Sequence, residues 1–168
     1  IIRKPIEKGA NIAYQGEDIK KNEQLIHPGS VIHSGMIALL ASFGYTKVKV
    51  RKSPKVGLLC TGSELLEAGE EWKLGKIYNT NGPMIEAALK ALGLQYKNYG
   101  ILKDDFNDSY ETVKQALLDV DILITTGGVS VGDYDFLPHI YERLQAEVIF
   151  NKVAIRPGSV TTFATVAN

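Results

Sequence analysis

A glycine-rich stretch at residues 125–135, with the sequence TTGGVSVGDYD, constrains the fold of this chain most strongly. It follows residues 120–124, an apolar and β-branched run that is typical of a buried parallel strand. It precedes apolar residues that recur at helical spacing, namely Phe136, Leu137, Ile140, Tyr141 and Leu144. The stretch therefore joins a strand to a helix, which predicts an α/β domain with this loop at the carboxyl end of a strand.

Open α/β sheets bind their ligands at such loops. Gly127, Gly128 and Gly132 carry no Cβ, so backbone N–H groups can approach a phosphate closely. We therefore predict that the loop binds a phosphate group. The alternative is that the glycines only form the turn and that Asp135 caps the following helix.

The remaining apolar segments alternate between strands and helices. Strands are predicted at residues 55–59, 95–101 and 147–153, and helices at residues 83–92 and 108–118. Residues 54–168 thus predict a three-layer α/β/α domain around a mostly parallel sheet.

Residues 1–53 predict a partial small accessory domain of α+β type. One helix is expected between a start at Ser34 and a stop at Gly44. Residues 45–51 alternate like a half-exposed strand. The polar stretch at residues 52–55 marks the expected domain boundary.

Composition argues against several functional classes. The 19 basic and 19 acidic residues give a net charge of zero, so neither nucleic acid nor a membrane surface is expected as a partner. No apolar stretch reaches the length of a membrane span. The single cysteine, Cys60, cannot form a disulfide within the chain, and we expect a cytoplasmic protein.

Two further motifs accompany the glycine-rich loop. These are CTGSELL at residues 60–66, directly after a predicted strand, and GKIYNTN at residues 75–81, which opens a helix. In this order and spacing the three motifs resemble the molybdopterin-binding domain of the molybdopterin molybdenumtransferase family, which includes MoeA and the gephyrin E-domain. The motif GEDI at residues 16–19 resembles the small domain that precedes it in that family.

The resemblance implies a pterin-phosphate site. Its binding residues are Thr61, Gly62, Asn81, Gly127, Gly128, Ser130 and Gly132. It also implies that Asp135 and Glu64 hold Mg²⁺, because a carboxylate beside a phosphate is repelled unless a cation lies between them. The implied catalytic residues are Asp135, together with Lys152 and Arg156, which offset oxyanion charge.

In the family, the enzyme receives adenylylated molybdopterin, hydrolyses the adenylate with Mg²⁺ and inserts molybdate to form the molybdenum cofactor. The resemblance implies the same function for the parent protein, which would be a cytoplasmic homodimer. It also implies an adenylyltransferase partner that provides the adenylylated substrate. The chain begins with Ile1 rather than methionine and stops before the family's last domain. We therefore expect a fragment that is truncated at its carboxyl end.

Three positions depart from the family's motifs. Ser63 stands where aspartate is common, which leaves Glu64 as the metal-binding carboxylate. Ser159 and Val160 replace a lysine and a proline. These departures support an alternative, a non-catalytic pterin-binding or scaffold module. Another alternative is a different enzyme on the same domain, a molybdopterin adenylyltransferase or a competence-damage-type nucleotide amidase.

Overall fold

The computed structural model describes residues 4–103, 105–127 and 136–167. The chain divides into two units, Ile1–Arg51 and Lys52–Asn168, close to the junction at which the sequence predicts a boundary. Within the described ranges, no helix has both the length and the apolar character that crossing a membrane requires.

The first unit contains one described helix, α1 (Ser34–Ser42), which begins where the sequence predicts. The His33 side chain caps it, since its Nδ1 accepts a hydrogen bond of 3.2 Å from the Gly35 N–H. The strand predicted at residues 45–51 does not form, which corrects the α+β expectation for this unit. A strand needs a neighbour for its backbone groups, and the described part of this unit contains no strand to pair with it.

The second unit alternates strands and helices. In chain order they are β1 (Lys55–Thr61), β2 (Leu65–Leu66), β3 (Ile77–Tyr78), α2 (Asn81–Ala91), β4 (Gln95–Leu102), α3 (Phe106–Asp119), β5 (Ile122–Thr126), α4 (Leu137–Arg143), β6 (Glu147–Asn151) and β7 (Thr162–Thr165). The strands β4, β1 and β5 form a parallel sheet in that order, while β2 pairs with β3 and β6 pairs with β7. The predicted α/β class with a parallel sheet is confirmed.

The strand order places helices on both faces of the sheet. The connection through α2 runs from β1 to β4, and the connection through α3 runs back past β1 to β5. Crossovers between parallel strands are right-handed as a rule, so two connections that run in opposite directions lie on opposite faces. The arrangement is therefore an α/β/α sandwich.

Two neighbouring side chains of β1 point to opposite faces of the sheet. Leu59 belongs to a buried cluster with residues of α3 and α4, which are Tyr110, Val113, Leu137 and Ile140. Cys60 points to the other face, where its Sγ accepts a hydrogen bond of 3.3 Å from Asn79 Nδ2, just before α2. The sheet is thus covered on both sides.

In the second unit, α3 and the strand predicted at residues 147–153 differ from the structure for identifiable reasons. The α3 helix begins at Phe106 rather than Asp108, because the Asp105 carboxylate caps it and accepts a hydrogen bond of 2.9 Å from the Asp108 N–H. The strand predicted at residues 147–153 ends at Asn151 and pairs antiparallel with β7 instead of joining the parallel sheet. It ends there because Lys152 has a φ of 77°, which lies outside the β region.

A charged cluster links α3 to the amino-terminal parts of β1 and β4. The Asp119 carboxylate accepts hydrogen bonds from Lys55 Nζ, from Lys97 Nζ at 2.8 Å and from the Tyr99 hydroxyl at 3.1 Å. These donors hold the pKa of Asp119 well below its ordinary value. A carboxylate with a depressed pKa in the folded state stabilises the fold above its unfolded pKa, about 4.

Asp119→Asn is therefore expected to lower the melting temperature at neutral pH. The difference from wild type should persist down to about pH 4 and shrink as the pH falls further, since the Asp119 carboxyl of the unfolded chain then takes up a proton while the carboxylate of the folded chain is still ionised, which favours unfolding of the wild type. Thermal melts between pH 7 and pH 2.5 measure this difference, with Asp18→Asn in the first unit as a control. A difference that does not change with pH would contradict the ionic role.

Candidate functional site

The carboxyl ends of the three parallel strands meet at one edge of the sheet. Thr61 of β1 lies opposite Leu102 of β4, and Cys60 lies opposite Thr126 of β5. The segments that follow these strands all leave from this edge, and they include the motifs singled out in the sequence. This strand-end edge is therefore the candidate ligand site.

Thr61 and Gly62, two predicted binding residues, lie at this edge. The Thr61 hydroxyl donates a hydrogen bond of 3.3 Å to the Thr126 carbonyl, and the Gly62 N–H donates one of 3.2 Å to the Leu102 carbonyl. Both donors are thus engaged in joining β1 to its two neighbours. The two residues set the spacing of the strand ends, and a ligand phosphate would take its hydrogen bonds from other groups.

Gly127, the first glycine of the loop after β5, lies directly against Thr61. A Cβ on Gly127 would overlap the Thr61 carbonyl oxygen and would lie 2.9 Å from Thr61 Oγ1. The φ of Gly127 is 81°, a left-handed conformation that side chains other than glycine rarely adopt. Both observations require glycine at the point where the loop leaves the sheet.

Glu64 lies in the turn that follows β1. The turn is closed by a hydrogen bond of 3.1 Å from the Leu65 N–H to the Gly62 carbonyl. The exposed Glu64 carboxylate folds back over Gly62, since a Cβ on that glycine would lie 2.5 Å from Glu64 Oε2. The structure thus brings Glu64 to the same edge as Thr61 and Gly127.

Asn81 is the exposed first residue of α2. Sequence reasoning missed its buried neighbour Asn79, whose Oδ1 accepts a hydrogen bond of 3.0 Å from the Gly82 N–H and whose Nδ2 donates to Cys60. Asn79 therefore fixes the beginning of α2 against β1. An asparagine just before a helix is a capping signal that could have identified it.

Lys152 and Arg156 lie apart from these residues along the chain, on the β6–β7 hairpin. The Lys152 N–H donates a hydrogen bond of 2.9 Å to the Thr161 carbonyl, and Arg156 lies in the exposed loop between the two strands. Within the described ranges, the structure gives no hydrogen bond or ion pair that joins either side chain to Glu64 or to the strand ends. Gly128, Ser130, Gly132 and Asp135 lie outside the described residues.

A cavity of about 500 Å³ lies beside α3 and α4. It is lined by Phe106, Phe136, His139, Glu142 and Arg143. The Arg143 guanidinium carbon lies 4.0 Å from the centroid of the Tyr110 ring. None of the predicted site residues that the structure describes is among these lining residues.

The described residues could coordinate Mg²⁺ only together with oxygen atoms of a bound ligand. Among them, no group of three His, Cys, Asp or Glu side chains could hold a metal ion. The Glu64 carboxylate offers hard oxygen atoms at the strand-end edge. One or two carboxylates, with phosphate oxygens and water completing the octahedron, are the usual surroundings of Mg²⁺ in proteins.

Residues 57–168 match the family described as "Probable molybdopterin binding domain". Two curated relatives, from Staphylococcus epidermidis (strain ATCC 35984) and Staphylococcus aureus (strain COL), are both named molybdopterin molybdenumtransferase. The first is 53% identical over 163 residues, covering 97% of this chain, and the second is 52% identical over 165 residues, covering 98%. The chain spans 39% of the length of each relative.

A solved structure of the molybdopterin biosynthesis MoeA protein from Pyrococcus horikoshii OT3 is also similar. It is 34% identical with a TM-score of 0.72, and the match covers 95% of this chain and 38% of that one. The family match extends from β1 through β7 and includes all three motifs. The chain belongs to the molybdopterin-binding domain family.

Proposed function

We propose that the protein containing this chain is a molybdopterin molybdenumtransferase. It would take adenylylated molybdopterin, release the adenylyl group by hydrolysis in the presence of Mg²⁺, and insert molybdate into the pterin dithiolene. The observation that carries the proposal is the likeness, at 53% identity over 97% of the chain, to a relative of that name. This likeness favours the proposed activity over an adenylyltransferase or a nucleotide amidase built on the same domain.

The contribution of this chain is binding and orientation. Backbone N–H groups of the loop at residues 127–132, together with the Ser130 hydroxyl, bind the ligand phosphate. Thr61 and Gly62 hold the strand ends at a fixed spacing, because their donors are engaged in the sheet. Asn81, the first residue of α2, is the side chain that we assign to the pterin. A ligand held in this way reacts without losing further orientational freedom.

Glu64 and Asp135 supply the carboxylate oxygens for the cation. When bound, Mg²⁺ neutralises charge on the phosphate oxygens. Lys152 and Arg156 offset the negative charge of molybdate, which is a substrate, and the Arg156 guanidinium can donate two parallel hydrogen bonds to an oxyanion.

The parent protein is proposed to act as a homodimer and to receive its substrate from an adenylyltransferase. We also place it in the cytoplasm. The free and buried Cys60 thiol supports a reducing compartment, where thiols persist.

Calorimetric titration of molybdopterin and its adenylylated form into this chain, with and without Mg²⁺, tests the site. Glu64→Gln removes one negative charge at nearly constant shape, so binding of the adenylylated form with Mg²⁺ should weaken by on the order of tenfold. Without Mg²⁺ the variant should bind at least as well as wild type, because the carboxylate then only repels the phosphate. Asp135→Asn probes the second proposed ligand in the same way.

Glu71→Gln is the matched control, since it makes the same charge change at an exposed residue of the following loop. Equal weakening by Glu64→Gln with and without Mg²⁺ would argue against a metal-binding carboxylate. A folded wild-type chain that binds neither form of the pterin would overturn the proposal that this edge of the sheet binds the pterin. A full-length parent that binds pterin without converting it in the presence of molybdate would favour the non-catalytic alternative.

A further inference from the structure

Lys76 is held at the strand-end edge by two independent interactions. Its backbone N–H donates a hydrogen bond of 3.1 Å to the Lys73 carbonyl, and the next residue, Ile77, begins β3 and donates one of 2.9 Å to the Glu64 carbonyl. Its half-buried side chain reaches back to the turn after β1, where Nζ donates a hydrogen bond to the Ser63 carbonyl. The ammonium group therefore lies beside the turn that carries Glu64.

The Lys76 ammonium has no carboxylate partner in the part of the chain that the structure describes. The ion pairs found there are those of Lys55 and Lys97 with Asp119. Glu64 adjoins Ser63 in the chain, yet its carboxylate folds over Gly62 and forms no ion pair with Lys76. A lysine ammonium has three N–H donors, and a single hydrogen bond of this group is found among the described residues.

We propose that Lys76 contacts an anionic oxygen of the ligand at the strand-end site. This inference rests on the proposed function, in which that ligand carries a phosphate group. A carboxylate at the edge repels phosphate, and an ammonium group beside the same turn offsets that repulsion. The hydrogen bond to Ser63 already restricts the lysine side chain, so less conformational entropy is lost when the ligand binds.

A purely structural role would involve only the hydrogen bond that fastens Lys76 to the turn. Substitution by glutamine separates the two roles, because glutamine retains an N–H donor but carries no charge. Lys76→Arg keeps the charge and the donors. Lys73→Gln is the matched control, since Lys73 is an exposed lysine in the same loop and its side chain has no polar partner among the described residues.

The experiment titrates molybdopterin into the wild-type chain and the three variants by calorimetry, at low and at high salt, after thermal melts have established that each variant is folded. Lys76→Gln is expected to weaken binding by about tenfold, with Lys76→Arg and Lys73→Gln close to wild type. The affinity of Lys76→Gln should also fall less steeply with salt than that of wild type, because one screened charge pair is missing.

Wild-type binding that Lys76→Gln leaves unchanged would overturn this inference while the proposed function stands. Equal losses for Lys76→Gln and Lys73→Gln would overturn it as well, since the effect would then be one of net charge. If the glutamine variant does not fold, an arginine variant that folds but binds more than tenfold weaker would count against a charge contact. A folded wild-type chain that does not bind molybdopterin removes both the inference and the function on which it rests.

Discussion

Gly127→Ala is expected to destabilise the second unit by about 2–5 kcal/mol, which combines left-handed backbone strain with a steric clash. The added methyl group would overlap the Thr61 carbonyl oxygen, and neither backbone can move without disturbing the pairing of β1 with β5. The loop would also leave the sheet at a changed angle. Pterin binding should therefore fall by more than tenfold, even at temperatures at which the variant is folded.

Gly93→Ala is the control that separates the cost of left-handed backbone strain from the cost of the steric clash. Gly93 also has a positive φ, of 67°, but a Cβ there would have no neighbouring heavy atom within 4 Å. It should cost only about 1–2 kcal/mol and leave binding unchanged. Urea unfolding and calorimetric titration of both variants measure the two effects. Equal destabilisation by the two substitutions would show that the contact with Thr61 does not restrict position 127.

Ile140→Ala is expected to destabilise the chain by about 2–5 kcal/mol, since it leaves a cavity in the core. Ile140 is 0% exposed and packs with Leu59 in the cluster that joins α4 and α3 to the sheet. Because α4 begins just after the glycine-rich loop, the loss of this packing also weakens the support of the loop. We expect the largest decrease in melting temperature for any single Ile→Ala substitution in the second unit.

Ile149→Ala is the control for this prediction. Ile149 lies on β6 and is 53% exposed, so its truncation should cost less than about 1 kcal/mol. Thermal and urea unfolding of the two variants give the comparison. A cost for Ile149→Ala that matches the cost for Ile140→Ala would mean that the hairpin contributes as much to stability as the core beneath α4.

The sequence predicted the elements that form the sheet because their patterns are local. The β-branched run before Thr125 became β5, and the helical spacing from Phe136 became α4. The local pattern predicted the wrong start for α3, because Asp105 rather than Asp108 caps this helix. Adjacent polar residues offer several capping positions, and three-dimensional geometry selects among them.

For the candidate site, too, local motifs indicate the residues, and strand pairing decides where they lie. Two separate motifs indicate the residues Thr61, Gly62, Glu64 and Gly127. The parallel register of β1 and β5 brings the two motifs to one edge of the sheet, although Thr61 and Gly127 are more than sixty residues apart in the chain. The resemblance assigns Lys152 and Arg156 to the same site, and in the structure they lie on an antiparallel hairpin. The sequence of residues 147–153 has strand character but contains nothing that specifies a partner strand.

The sequence by itself determined the α/β class, the glycine-rich loop between β5 and α4, and the family resemblance, because periodicity and motif order are properties of neighbouring residues. Only the tertiary structure decided that Gly127 lies against Thr61, that Asn79 bridges Cys60 and the start of α2, and that Lys76 reaches Ser63. Each of these contacts joins segments whose separation is fixed by strand register and helix packing. Apart from the capping signal of Asn79, such contacts have no local signal in the sequence, since they arise only when the elements have packed together.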